Sequence, residues 1–192
     1  MKEIVILGGP NGAGKTTAAR KLLPKFSHVR EFLNADEFAR AISPDDVESA
    51  AFSAGRRMLA RMQELIALEE SFGLESTLSG KSYVRFLRQC KQTGWRITIL
   101  YLWLPSPEDA IKRVEDRVRE GGHGVSPEVI RRRYYSSLSN FLQYYLPLAD
   151  ELEIYDNSVK RVRIAKRREG GFVHVLDMKR WSKLRRAAQC VQ

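Results

Sequence analysis

The sequence has few cysteines and no long hydrophobic segment, and both absences exclude classes of protein. Cys90 and Cys190 are the two cysteines, far apart and without metal-ligand spacing, which argues against a disulfide framework and a zinc site. No apolar run approaches the roughly 20 residues that cross a bilayer, and the first residues lack the pattern of a signal peptide. We therefore expect a cytoplasmic protein that does not bind a membrane.

Positive and negative charges nearly balance over most of the chain, and the excess of positive charge is concentrated at its end. The net charge is +10, but the segment from Lys160 onward carries eleven Lys or Arg against two acidic residues, a net of +9, whereas residues 1–159 carry +1. Such a tail attracts nucleic acid, an anionic membrane or an acidic partner, or it is a solvated segment that keeps the protein soluble. We favour the second interpretation because no nucleic-acid motif or row of aromatic side chains accompanies the charge.

The composition otherwise fits a single globular domain. Hydrophobic residues make up 43% and charged residues 29% of the 192 residues, which is typical of a folded protein with one substantial core. No repeat, low-complexity linker or domain boundary interrupts the sequence, so we treat residues 1–192 as one domain.

A glycine-rich segment near the N-terminus has the pattern of a phosphate-binding loop. Glycine permits the positive φ angles that turn backbone N–H groups toward a phosphate, and the helix that follows adds the positive end of its dipole. The predicted loop consists of Gly9, Pro10, Asn11, Gly12, Ala13, Gly14, Lys15, Thr16 and Thr17. In this pattern Lys15 binds the β- and γ-phosphates of ATP or GTP, and the Thr16 hydroxyl ligates Mg²⁺.

Apolar runs and helical periodicities alternate along the chain. They predict strands at residues 4–7, 30–33, 72–75, 96–104 and 152–155, and helices at 15–23, 44–70, 82–93, 107–120 and 127–145. Pro24 would stop the first helix. Near the end, Val162 and Ile164 are predicted to face Val173 and Val175 in a hairpin.

This alternation predicts an α/β fold, a three-layer sandwich with a mainly parallel five-stranded sheet of the P-loop NTPase type, nucleotide kinase-like, plus a C-terminal β-hairpin. Ligands of such sheets bind at the carboxyl ends of the strands. The guanine-specifying Asn-Lys-x-Asp is absent, and no second strand ends in an isolated Asp as in motor ATPases. A kinase with a lid is therefore the better class.

Two acidic segments follow predicted strands. Asp36 follows the second strand, where a carboxylate can accept the proton of a substrate hydroxyl or hold a metal, or can cap the next helix. Glu75 and Thr77 follow the third strand, where they can hydrogen-bond a polyhydroxylated substrate or cap the helix after it. We favour substrate binding for Glu75 and Thr77 and leave both roles open for Asp36.

An arginine-rich segment at about residues 113–133 is predicted to be a lid. Arg113 and Arg117 share one helix face, and Arg133 comes from the next helix, across a glycine-rich turn. Guanidinium groups stabilise the charge that develops during phosphoryl transfer, although nearby acidic residues could pair with them on a solvated face. His123 could touch a phosphate or cap the helix. Asn157, after the last core strand, is expected near the nucleotide base.

These blocks together resemble the zeta toxin family of P-loop kinases. The resemblance covers about residues 3–158, through GGPNGAGKTT, LNADEFARAI, FGLESTLSG, RVEDRVREGGHGVSPEVIRRRYYSSLSN and IYDNS. It implies ATP-dependent phosphorylation of a small-molecule hydroxyl, in the best-known members the 3′-hydroxyl of UDP-N-acetylglucosamine, and a neutralising antitoxin partner. It also implies that Asp36 is the general base, that Glu75 and Thr77 hold the sugar nucleotide, and that Arg113 with Arg117 or Arg133 contacts phosphates.

Two other functions remain as alternatives. One is a nucleotide-dependent binding protein or switch that phosphorylates nothing, against which the lid arginines argue. The other is a nucleic-acid-associated kinase anchored by the basic tail, which predicts salt-sensitive binding that is lost when the tail is removed. The acceptor, the oligomeric state and toxicity do not follow from the sequence.

Overall fold

The computed structural model describes residues 2–22, 26, 28–43, 46, 49–122 and 124–190. The strands are β1 (Glu3–Gly8), β2 (Glu31–Asn34), β3 (Phe72–Ser76), β4 (Arg96–Trp103), β5 (Glu151–Asp156), β6 (Val162–Arg167) and β7 (His174–Val175). The helices are α1 (Lys15–Leu22), α2 (Ala35–Ile42), α3 (Ala51–Ala67), α4 (Ser82–Gln92), α5 (Pro107–Arg119), α6 (Pro127–Asn140) and α7 (Met178–Gln189). The predicted helix stop at Leu23 and Pro24, the predicted helix start at Pro44, and His123 lie outside the described residues.

The strands form one mixed sheet in the order β2-β3-β1-β4-β5-β6-β7. The first five strands of this order are mutually parallel, and β6 and β7 add antiparallel partners. The predicted α/β fold with a parallel sheet and a C-terminal hairpin is confirmed, and the hairpin extends the sheet to seven strands. Because β3 and β4 flank β1, the loop after β1 lies beside the ends of both.

The centre of the sheet is the core of the molecule. Every residue of β1 is buried, and so is Ile97–Trp103 of β4, as expected for parallel strands that are covered on both faces. In β5, by contrast, Leu152, Ile154 and Asp156 are buried and the alternate residues are half-buried. One face of the sheet therefore becomes more open to solvent toward β5.

Helix α5 begins and ends with the residues that the sequence predicts. The Ser106 hydroxyl caps its N-terminus by accepting a hydrogen bond from the backbone N–H of Asp109, and Pro107 occupies the first turn. At the other end, Gly121 has φ +85°, and the backbone N–H of Gly122 donates to the Arg117 carbonyl at 2.9 Å. This is the Schellman pattern, which satisfies the last carbonyls of the helix.

Two of the predicted helices have wrong boundaries. Helix α3 starts at Ala51, after a turn in which Ser49 bonds Asp46, and it ends at Ala67, because Glu69 adopts φ +57°. Helix α6 ends at Asn140, and a π turn, Phe141–Tyr145, replaces its predicted last turn. Phe141 of that turn stacks on Tyr101 in the core, with ring centroids 3.8 Å apart.

The C-terminal segment also differs from the prediction. The hairpin pairs Ala165 with Val175 and Lys166 with His174, not the predicted Val162 and Ile164 with Val173 and Val175. Its turn contains two residues with positive φ, Glu169 and Gly170, and this turn sets the observed register. The basic tail forms helix α7, in which Leu184 and Ala188 are buried. Within the described part of the chain, no helix combines the length and the apolar character needed to span a membrane.

Candidate functional site

The loop between β1 and α1 has the backbone geometry of a phosphate-binding loop. Gly9, Gly12 and Gly14 have φ angles of +144°, +70° and +78°. A Cβ atom on Gly9 would lie 2.2 Å from the Leu102 carbonyl oxygen, and one on Gly12 would lie 2.6 Å from that of Ala110. Both the φ angle and the close backbone neighbour therefore require glycine at these positions.

Lys15 lies inside this loop with little exposure. Its side chain is 8% exposed, and its Nζ donates a hydrogen bond to the Pro10 carbonyl at 3.0 Å. Burial lowers the pKa of Lys15, and the negative charges of Glu75 and Asp36 oppose that shift. The ammonium group is thus a partly compensated buried cation, which an anionic phosphate would stabilise further.

Glu75 connects the phosphate loop to the neighbouring strands. In the parallel register of β1 and β3, Glu75 pairs with Leu7. Its carboxylate accepts hydrogen bonds from the Thr16 hydroxyl, at 3.1 and 3.2 Å, and from the Asn34 amide at 3.3 Å. Burial raises the pKa of Glu75, and the charge of Lys15 opposes this effect. The contact with Thr16 does not follow from the sequence pattern, because it requires knowing that β3 lies next to β1.

Thr16 and Glu75 fit a magnesium site. Mg²⁺ prefers oxygen ligands, and in phosphoryl-transfer enzymes it takes one or two from the protein and the rest from phosphates and water. The Thr16 hydroxyl and the Glu75 carboxylate are oxygen donors of this kind, next to the loop that would hold the phosphates.

Asp36 lies in the first turn of α2, and its carboxylate does not serve as the helix cap. The side chain of Asn34 caps the helix by accepting a hydrogen bond from the Asp36 backbone N–H at 2.9 Å. The capping alternative for Asp36 is therefore wrong. The negative charge of Asp36 raises the pKa values of both Lys15 and Glu75, so its carboxylate lies within electrostatic reach of the phosphate loop.

Thr77 belongs to a loop that follows β3 directly. Its hydroxyl makes a hydrogen bond with that of Ser79 at 2.8 Å. Helix α4 starts only at Ser82, and its N-cap residue, Lys81, makes no side-chain cap. The alternative in which Glu75 and Thr77 cap this helix is therefore wrong.

The three predicted lid arginines occupy different positions. Arg113 donates hydrogen bonds to the carbonyls of Gly12, at 3.4 Å, and of Ser158, so it ties the phosphate loop to the loop after β5. The charge of Arg117 acts on Lys15 and lowers its pKa. Arg133 is half-buried on α6 and makes no hydrogen bond or ion pair with the described residues. Arg117 thus lies near the phosphate loop, and Arg113 contacts its backbone.

Other arginines of the segment pair with acids, as the solvated-face alternative expects. Arg119 bonds Asp116 at 2.9 Å within α5, and Arg131 lies 3.5 Å from Glu108. These pairs are exposed, so each contributes little to stability. Arg113, Arg117 and Arg133 are not part of these two pairs and stay candidates for phosphate binding.

A pocket of about 390 Å³ lies beside the phosphate loop. The side-chain amide of Asn157 donates a hydrogen bond to the Ala13 carbonyl at 2.8 Å and borders this pocket. Arg161 lies over the Tyr155 ring, 5.8 Å from its centroid. The lining residues are Gly14, Thr17, Ala18, Lys21, Arg113, Asn157, Val159 and Arg161. A nucleoside attached to phosphates in the loop would have room here.

A second cavity, of about 340 Å³, lies at the opposite end of the sheet. Glu3 and Arg96, the first residues of β1 and β4, line it together with His28. Glu3 is buried and bonded to His28 and to the Thr98 hydroxyl. Because this cavity lies at the amino ends of the strands, away from the phosphate loop, we place the candidate active site at the first pocket.

Comparison with known proteins agrees with this geometry. The family model described as an AAA domain (AAA_33) matches residues 4–141. A protein of Haemophilus influenzae described as uncharacterized is 30% identical over 128 residues, which are 66% of this chain and 88% of that protein. The matched family and the fold make this chain a P-loop kinase-like domain.

Solved structures share the fold at low sequence identity. A chain of the AvrRxo1-ORF1:-ORF2 complex with ATP superposes with a TM-score of 0.73 at 17% identity, over 96% of this chain and 63% of that one. The chain therefore spans less than two thirds of that protein. A chain of the PezAT chromosomal toxin-antitoxin system of Streptococcus pneumoniae gives a TM-score of 0.60 at 19% identity, over 84% of this chain and 71% of that one. At such identities the likeness concerns the fold.

Proposed function

The chain belongs to the AAA domain family whose model spans residues 4–141, and we propose that it is an ATP-dependent kinase of the zeta toxin type. It would transfer the γ-phosphoryl group of ATP to a hydroxyl group of a small molecule. The observation that carries this proposal is the hydrogen bond between the Glu75 carboxylate and Thr16 of the phosphate loop, with a second carboxylate, Asp36, near enough for its charge to act on Lys15. A site that only binds nucleotide has no need of the second carboxylate.

In the proposed reaction Asp36 is the general base. The acceptor oxygen bonds to the γ-phosphorus, its proton passes to the Asp36 carboxylate, and the bond to the bridging oxygen breaks to release ADP. Asp36 is free for this role because Asn34 caps α2. Lys15 and the loop amides hold the phosphates in place throughout.

Thr16 and Glu75 would hold Mg²⁺. When bound, Mg²⁺ would supply positive charge that offsets the negative charge of the phosphate oxygens. Glu75 orients the Thr16 hydroxyl through its hydrogen bonds at 3.1 and 3.2 Å. In this proposal the role of Glu75 lies closer to the metal than to the sugar nucleotide, and Thr77 remains the candidate for acceptor binding.

The arginines divide the remaining work. Arg117, whose charge reaches Lys15, and Arg133 would neutralise the equatorial oxygens of the transferred group. Arg113 would fix the position of the phosphate loop relative to the nucleoside pocket through its hydrogen bonds to the carbonyls of Gly12 and Ser158. Asn157 would lie next to the nucleotide base.

For the acceptor we propose a sugar nucleotide such as UDP-N-acetylglucosamine. The motifs shared with the zeta toxin family support this choice, and the PezAT toxin-antitoxin structure supports it through its fold. The same comparison supports an antitoxin as the protein partner.

The test is transfer of label from γ-labelled ATP in the presence of Mg²⁺, against a panel headed by UDP-N-acetylglucosamine, with Lys15→Ala as the control. Lys15-dependent label on this sugar nucleotide would support the full proposal. Label on another acceptor would keep the mechanism and replace the substrate. Binding of ATP without any transfer would favour a nucleotide-dependent binding protein.

One observation favours a polynucleotide acceptor as the second candidate. Lys179, Lys183 and Arg186 lie on one exposed face of α7 and make no ion pair with the described residues. Phosphate contacts of this kind make binding steeply salt-dependent. An oligonucleotide with a free 5′-hydroxyl therefore belongs in the panel, and salt-sensitive labelling that is lost on truncation after Asp177 would select it.

A further inference from the structure

The loop after β3 is held by side chains from a distant part of the chain. Its four backbone carbonyls, those of residues 77–80, all accept hydrogen bonds from polar side chains of α6 and the π turn. The donors are the Ser137 hydroxyl to Thr77, the Asn140 amide to Leu78 at 3.3 Å and Ser79 at 2.9 Å, and the Tyr145 hydroxyl to Gly80 at 2.7 Å. We call residues 77–80 the acceptor loop and these three donors the clamp.

The π turn makes this clamp geometrically feasible. At about 100° per residue, Asn140 and Tyr145 would point about 140° apart around a regular α-helix. The wider i→i+5 turn at Phe141–Tyr145 adds a residue to the turn and brings Tyr145 to the side of Asn140, where both reach the acceptor loop. Such turns are rare and are found frequently at functional sites.

The clamped loop is strained. Leu78 has φ +55°, a conformation that costs a residue with a Cβ atom. Its side chain is 1% exposed and packs so closely on Gly8 that a Cβ atom there would lie 2.6 Å from Leu78 Cδ1. The acceptor loop therefore rests directly on the strand that leads into the phosphate loop, and the four hydrogen bonds of the clamp offset its strain.

Arg133 shares a helix face with the clamp. By helical spacing it points within about 40° of Ser137 and about 20° of Asn140. Ser137 and Asn140 bond the acceptor loop. Arg133 therefore faces the same side of α6, one to two turns closer to the N-terminus of the helix. A shift of α6 toward a bound phosphate would therefore carry the clamp with it.

We propose that α6 couples the lid to the acceptor loop, with Ser137, Asn140 and Tyr145 as positioning residues that set the conformation of residues 77–80 when Arg133 meets the nucleotide. This inference rests on the proposed kinase function, because it assigns the loop to the acceptor. The inference adds that binding of the acceptor depends on α6, even if the acceptor does not contact this helix.

The test uses Asn140→Ala and Tyr145→Phe, with Ser136→Ala as the matched control. Ser136 lies on the same helix, next to Ser137, and its hydroxyl makes no hydrogen bond with the described residues. The smaller change, Tyr145→Phe, removes only a hydroxyl and keeps the test valid if Asn140→Ala does not fold. The first readout is hydrogen–deuterium exchange of the peptide covering residues 76–81, with and without ATP and Mg²⁺.

In the parent protein ATP should slow exchange in this peptide. The slowing should be lost in both clamp variants and in Arg133→Ala, and kept in Ser136→Ala. The inference is overturned if ATP leaves the parent peptide unchanged, or if the clamp variants respond as the parent does. This readout needs nucleotide binding but no acceptor, so it separates a failed coupling from a failed kinase assignment.

The second readout applies once an acceptor is known. Tyr145→Phe should raise the KM for the acceptor by about three- to tenfold, the effect of one lost hydrogen bond, and Asn140→Ala, which loses two, by at least as much; both should leave the KM for ATP unchanged. Arg133→Ala combined with Tyr145→Phe should cost less than the product of the single effects, because both changes break the same coupling. If the effects of the two substitutions on the KM for the acceptor simply multiply, the proposed coupling is contradicted.

Discussion

The two halves of the candidate site are built in different ways. On the nucleotide side, glycines press against neighbouring backbone, as Gly9 does against the Leu102 carbonyl, where an added Cβ atom would be only 2.2 Å away. On the acceptor side, the backbone of residues 77–80 is held by replaceable side chains such as Asn140 and Tyr145. Backbone neighbours cannot be exchanged by substitution, whereas side chains can.

This difference has a consequence for function. If the loop after β3 binds the acceptor, as we propose, substitution of the residues that hold this loop would change the acceptor without disturbing the nucleotide side of the site. The carboxylates lie at the junction of the two halves, since Glu75 bonds Thr16 of the phosphate loop and belongs to the strand that leads into the acceptor loop. Substitutions there should separate the halves most clearly.

The largest effect is expected for Asp36→Ala. A positioned general base contributes about 10²- to 10⁴-fold to the rate, so phosphoryl transfer should fall by that factor, while the affinity for ATP should change little. Single-turnover rates and the dissociation constant for ATP measure the two effects. Glu37→Ala, one residue away in the same helix turn, removes a carboxylate whose charge also acts on Glu75, and it should retain activity because proton acceptance, not charge alone, is the proposed role of Asp36. Full activity of Asp36→Ala would remove Asp36 as the base.

The next effect concerns Glu75→Gln. Loss of the carboxylate next to Thr16 should weaken Mg²⁺ binding by about 10- to 100-fold, as for other groups that orient a metal ligand. A titration of activity against Mg²⁺ measures this change. An unchanged Mg²⁺ requirement would return Glu75 to the substrate-binding role.

The same variant should alter the pH dependence of stability. Burial raises the pKa of Glu75, so the folded protein favours the protonated form. The resulting stability is present below the pKa of the unfolded chain and is lost as the pH rises through the folded pKa. Gln does not ionise, so Glu75→Gln should unfold at higher temperature than the parent at pH 7, with the difference vanishing near pH 4, about the usual pKa of Glu. A constant difference across this range would contradict the burial argument.

The sequence predicts the nucleotide half better than the acceptor half, for a physical reason. The phosphate loop is local, because its glycines, Lys15 and Thr16 are close in sequence and their geometry follows from residue type. The contact between Thr16 and Glu75 depends on the order of strands in the sheet, which no local pattern encodes. The clamp depends further on the π turn, whose position is set by the packing of Phe141 on Tyr101.

Helix α7 shows a different limit. Trp181, Leu184 and Ala188 are spaced for a helix that packs on one side, so the signal was present in the sequence. The interpretation as a solvated tail followed from net charge, which describes the exposed face and says nothing about the buried one. Periodicity was the better guide there because burial, not charge, determines whether a helix packs.

A smaller effect is expected for Gly14→Ala. At φ +78°, alanine costs about 1–2 kcal/mol, and its Cβ atom would lie 2.9 Å from Asn157 Nδ2. The free energy of unfolding should fall by about that amount, and the affinity for ATP should fall about tenfold if the Asn157 side chain is displaced. Denaturant unfolding and ATP titration measure both. A variant with parental stability and affinity would show that the loop adapts, against the rigid design described above.

The smallest expected effect has the opposite sign and completes the comparison. Gly55 lies inside α3, and a Cβ atom there would have no neighbour within 4 Å. Gly55→Ala should therefore raise the free energy of unfolding by about 0.5–1 kcal/mol, because alanine loses less backbone entropy in a helix. Denaturant unfolding measures the change beside Gly14→Ala. Since the chemical change is identical in both variants, opposite signs would assign the cost at Gly14 to backbone geometry. A loss of stability in both would mean that the space around α3 is occupied, and would weaken that assignment.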